Sequence, residues 1–98
     1  MVTIQFELDE NKIKEAGHTI ANVEKYLRDF YSRRQANEIE YLTFQRDDEN
    51  AMCVLGDIHD VMVENPSFMD FFKKCVWDVD GEIEDCLQEI KEYIVKNS

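Results

Sequence analysis

Two short strings contain residue types that could do chemistry. Gly56-Asp57-Ile58-His59-Asp60 sets a carboxylate two residues ahead of an imidazole, two side-chain types that can ligate metal ions. Asp78-Val79-Asp80-Gly81 closes the apolar run Cys75-Val76-Trp77 with two carboxylates two residues apart. Asp78, Asp80, Gly81, Ile83 and Glu84 also match interior positions of a calcium loop, whose first and last positions fall on Val76 and Leu87. Those two positions normally supply carboxylates, so tight calcium binding is not expected. An enzymatic reading would need Asp57, His59, Asp78 and Asp80 to converge on a metal, as in a metal-dependent hydrolase.

The first string resembles the G-D-x-H segment of the calcineurin-like metallophosphoesterases, which implies Asp57 and His59 as ligands. The downstream G-D-x-x-D and G-N-H segments of that family are missing, His18 is the only other histidine, and Asp60 stands where glycine usually follows. The second string resembles the first motif of the haloacid-dehalogenase phosphatases, which implies Asp78 as nucleophile and Asp80 as general acid on a doubly wound sheet. Only 17 residues follow Gly81, too few to complete that fold. Nucleophilic catalysis has no better case. Cys53, Cys75 and Cys86 sit among apolar neighbours, and neither G-x-S-x-G nor a glycine-rich phosphate loop occurs. We therefore assign no catalytic residue, no cofactor and no metal site, and expect a non-enzyme.

Composition narrows the class further. The chain has 98 residues, a formal net charge of −11, and 44% hydrophobic and 11% aromatic content, which suits one folded domain over 1–98 and argues against disorder. Three cysteines without a C-x-x-C pair point to free thiols in a reducing compartment. The start MVTIQFELDENK has no basic segment followed by an apolar one, and no apolar run reaches bilayer length, so a cytoplasmic location is expected.

Charge is unevenly spread. Residues 1–46 hold seven basic and eight acidic side chains, a net of −1, whereas residues 47–98 hold four and fourteen, a net of −10. That field repels phosphate backbones and anionic lipid, which disfavours direct nucleic-acid or membrane binding and favours a basic protein partner.

The elements that must position these residues follow from periodicity. Val2, Ile4, Phe6 and Leu8 alternate with polar residues as in a strand with one buried face. Asp9 can cap a short helix through Ile13 and Ala16; Gly17 followed by His18-Thr19 reads as a stop and a fresh N-cap for a second helix whose stripe is Ile20, Val23, Leu27 and Phe30. The segments YLTFQR and AMCVLG flank Asp47-Asp48-Glu49-Asn50 and read as a β-hairpin. Asp57 would cap a helix through Ile58, Val61 and Met62, and Pro66 would interrupt it. Ser67 with Asp70 would then start a helix whose apolar face is Phe68, Phe71, Phe72 and Cys75. Asp80 would cap the last helix, with Ile83, Leu87, Ile90 and Ile94 as its stripe. The expected fold is α+β: a small antiparallel sheet, made of the N-terminal strand plus a hairpin, packed against four to five short helices.

The candidate partner-binding residues are Asp78, Asp80, Glu82, Glu84, Asp85, Glu89 and Glu92, read as the acidic face of the last helix and its approach. Asp85 and Glu89 are like charges four apart, a small cost that a basic partner would offset. Lys25, Arg28, Arg33 and Arg34 on the second helix could instead neutralise that face, within the chain or across a homodimer. The expected function is a non-catalytic protein-binding module, an inhibitor or adaptor that docks a basic or nucleic-acid-binding protein. The alternative is a homo-oligomeric structural protein whose charge serves only solubility.

Overall fold

The computed structural model describes residues 1–97, and the side chains of residues 53–55 lie outside the described set. The chain runs β1 (Val2–Leu8), α1 (Glu10–Glu15), α2 (Ile20–Arg33), β2 (Asn37–Glu40), β3 (Thr43–Arg46), α3 (Cys53–Glu64), a 3-10 turn (Pro66–Phe71), β4 (Phe72–Val79), β5 (Glu82–Asp85) and α4 (Cys86–Lys96). Among the described residues the strands form one antiparallel five-stranded sheet in the order β2-β3-β1-β4-β5, so the fold is α+β. No helix among these residues is long and apolar enough to cross a membrane.

The alternation in β1 sets the layers. Val2, Ile4, Phe6 and Leu8 are buried while Gln5 and Glu7 face solvent, so the helices cover one sheet face and leave the other polar. Beneath the helices, Phe6, Phe72, Tyr31 and Phe44 form an aromatic cluster, with Tyr31 stacked on Phe44 at 4.5 Å between ring centroids. Capping in the first half follows the local sequence. Asp9 accepts from the Lys12 N–H at 3.2 Å and Thr19 from the Asn22 N–H at 3.1 Å, with Gly17 between them at φ 82°.

The second half departs from expectation in four places. The expected hairpin partner of YLTFQR becomes the lead-in and first turn of α3, and the hairpin lies earlier, between β2 and β3. β3 already has β2 on one side and β1 on the other, so its edges are full. Asp57 is not a cap but an interior residue of α3; that helix starts at Cys53 after Met52, which makes no side-chain cap bond. The expected helix over Phe68 to Cys75 ends as a 3-10 turn at Phe71 and continues as a strand. A bulge opposite Glu7/Leu8 lets Phe72 and Cys75 both face the core, although they lie three residues apart.

The fourth departure sets the geometry of the candidate site. Asp80 does not cap α4. It sits with Gly81 in the two-residue turn between β4 and β5, at φ 53° and 92° respectively, the all-positive pattern of a type I′ hairpin. Asp85 caps α4 instead, accepting from the Gln88 N–H at 3.1 Å. Ile83 therefore leaves the helical stripe and stands on β5 at 70% exposure, while Leu87 and Ile90 remain buried. Cys75 and Cys86 are free, buried thiols; the side chain of Cys53 lies outside the described residues.

Candidate partner-binding surface

The seven candidate carboxylates are distributed over a hairpin and a helix instead of a single helix face. Asp78 lies on the polar side of β4 opposite Ile83, and its Oδ1 accepts the Gly81 N–H at 2.8 Å, which closes the turn. Asp80 Oδ1 lies 2.8 Å from the amino nitrogen of Met1. Asp85 is the α4 cap, and Glu89 follows in the first turn, where both complement the helix dipole. Glu92 Oε1 accepts from the Gln88 side chain at 3.2 Å.

Glu82 and Glu84 are brought together. They stand directly opposite Val79 and Trp77 in the register, on the helix-covered side of the hairpin. With Met52, Gly56 and His59 from the start of α3 they line a recess of about 390 Å³. Its walls are mainly apolar, and Trp77 Nε1 donates to Glu84 Oε2 at 3.0 Å, fixing that carboxylate at the rim. Gly56 contributes no side chain, and a Cβ built there would meet nothing within 4 Å. Ile83 and Met52 are exposed here, and Trp77 is buried with its indole N–H on Glu84. The Asp80-Gly81 dipeptide between two extended runs is the sequence signal for the β4–β5 hairpin and so for the place of Trp77 and Ile83.

Three of the seven cations of the first half pair with acids elsewhere. Arg28 Nε lies 2.8 Å from Glu38, Arg34 Nε lies 2.7 Å from Asp57, and Arg46 Nε lies 2.9 Å from Asp48. Among the described residues no lysine or arginine side chain forms an ion pair with any of the seven candidate carboxylates; their one cationic partner is the amino terminus, at Asp80. Among the described residues α2 thus makes no ion pair with the acidic face.

No family model, curated protein or solved structure matches this chain.

Asp57 faces Arg34, and the His59 ring packs edge-to-face on Tyr93 at 4.8 Å. Among the described residues no three histidine, cysteine, aspartate or glutamate side chains come together in a way that could hold an ion.

A second groove, of about 420 Å³, lies between α2, α3 and the 3-10 turn. His18, Tyr26, Phe68 and Phe71 line it with Asn22 and Asn65 at its mouth. Its rings lean edge-on against one another, Tyr26 to Phe68 at 5.4 Å and His18 to Phe71 at 5.4 Å, and Phe68 and Phe71 pack against the main core.

Proposed function

We propose that this chain is a non-catalytic binding module that docks a basic protein partner through the acidic β4–β5 hairpin and the adjoining turns of α4. One observation carries the reading: among the described residues the seven carboxylates have no lysine or arginine side chain on them, whereas Arg28, Arg34 and Arg46 pair with acids elsewhere. Uncompensated like charge at an exposed edge raises the local potential and speeds encounter with a cation-rich surface.

The test is affinity capture from native-host lysate at low and high salt, with mass spectrometry of the eluate, run in parallel on the charge-reversed variant Glu82→Lys/Glu89→Lys/Glu92→Lys. These positions are exposed and none is a helix cap, so circular dichroism should show an unchanged fold. Basic proteins retained at low salt, released at high salt and lost by the variant support the proposal. An identical set on both baits, or recovery of the chain alone as a stable dimer by light scattering, overturns it.

A further inference from the structure

We propose that the partner segment is a short extended peptide of alternating pattern, basic-apolar-basic, that adds to the sheet as a sixth strand along β5. This rests on the proposed basic partner and specifies how that partner is recognised. The turn at Asp80-Gly81 has two residues, so Val79 and Glu82 form the hydrogen-bonded pair that closes it, and pairing then alternates along the ladder. Ile83, opposite Asp78, falls at the non-bonded position, so its N–H and C=O point away from β4. No turn, cap or side-chain bond among the described residues takes them up. An incoming residue opposite Ile83 would exchange both bonds with it, as in other strand-addition complexes.

Side chains set the pattern. Ile83 is 70% exposed on the polar face of the sheet and calls for an apolar neighbour. Glu82 and Glu84 flank it on the opposite face and call for cations, which would sit at the mouth of the recess lined by Trp77, Val79 and Met52. An arginine suits that mouth: its aliphatic stem can lie on apolar wall while the guanidinium meets a carboxylate.

The other edge of the sheet is a useful contrast. β2 carries the similar run Glu38-Ile39-Glu40, but Glu38 is already engaged by Arg28 and by the Leu42 N–H. A second copy would bring acidic strand against acidic strand at either edge, which charge opposes.

The experiment titrates the full chain with three capped peptides of equal charge: Thr-Arg-Val-Arg-Thr, its reordered form Thr-Val-Arg-Arg-Thr, and the first peptide N-methylated at valine. Trp77, the one tryptophan, reports occupancy of the recess by its fluorescence, and the amide shift of Ile83 reports strand pairing. The expected result is that the first peptide binds at least about tenfold more tightly than the other two, and that Glu82→Gln weakens it by a similar factor. Equal, salt-sensitive binding of all three overturns strand addition while leaving a basic partner in place. Absence of binding by all three also overturns it, and the lysate experiment then decides separately whether the basic-partner reading stands.

Discussion

Glu38 Oε2 accepts the Leu42 N–H at 2.9 Å, while the other carboxylate oxygen takes Arg28 Nε at 2.8 Å. Leu42 is fully buried and sits at φ 48°, a region that a branched-chain residue enters at a cost. The turn between β2 and β3 is thus held by a side chain, not by a turn-forming residue, and the Leu42 carbonyl accepts the Phe6 N–H at 3.0 Å.

Replacing that carboxylate should loosen the turn. Glu38→Ala is expected to destabilise by about 1–3 kcal/mol, since it removes charge-assisted bonds and leaves a main-chain donor unmade. The Arg28 hydrogen bond holds the Glu38 pKa below its ordinary 4.5. Its stabilisation is therefore present above that value and is lost as pH falls through the lower, folded-state pKa. Urea denaturation of both proteins between neutral and acid pH checks both points. A wild-type advantage that does not shrink at low pH would count against the assignment.

Tyr31 gives an opposite sign. Its ring is fully buried and stacked on Phe44, yet its hydroxyl has no hydrogen-bond partner among the described residues. Burial pushes the phenol pKa well above 10, because the anion would have to form in the aromatic core. Tyr31→Phe keeps the packing and removes an unsatisfied polar atom, so stability should rise by about 1 kcal/mol. A loss of that size in chemical denaturation would show that the hydroxyl is engaged.

Tyr41 titrates for a different reason. Its hydroxyl donates to Glu24 at 2.6 Å, and that bond, aided by partial burial, raises the pKa to about 12. The folded-state value lies above the unfolded one near 10, so the contribution is complete below pH 10 and disappears as pH rises through about 12. Ultraviolet difference titration should show one tyrosine shifted to about 12, and Glu24→Gln should return it toward 10.

The first half of the chain was legible because its signals are local: the alternation in β1, the Asp9 and Thr19 caps and the Gly17 stop need no tertiary context. The second half misled for identifiable reasons. Phe68, Phe71, Phe72 and Cys75 repeat at helical spacing, but a bulge produces the same inward-facing pair from a strand. Ile83, Leu87, Ile90 and Ile94 also read as one stripe, although the first belongs to an edge strand whose exposure only the sheet order reveals. The acidic residues were legible as a group from charge alone. The recess beside Glu82 and Glu84 was not, because it depends on the type I′ turn and on Met52, Gly56 and His59 lining it together with Trp77.

Two glycines separate backbone geometry from packing, since a Cβ at either one meets nothing within 4 Å. Gly81 holds φ 92° in the turn that presents β5, so Gly81→Ala adds no clash but forces an unfavoured conformation. It should cost about 1–2 kcal/mol. Gly56 lies inside α3 with no positive φ, so there alanine supplies helix propensity and restricts the unfolded chain. Gly56→Ala should stabilise by about 0.5–1 kcal/mol. Thermal denaturation of the two variants against the parent chain should therefore move the midpoint in opposite directions. A matching loss in both would mean that the start of α3 packs more tightly against the hairpin than the open space above Gly56 indicates.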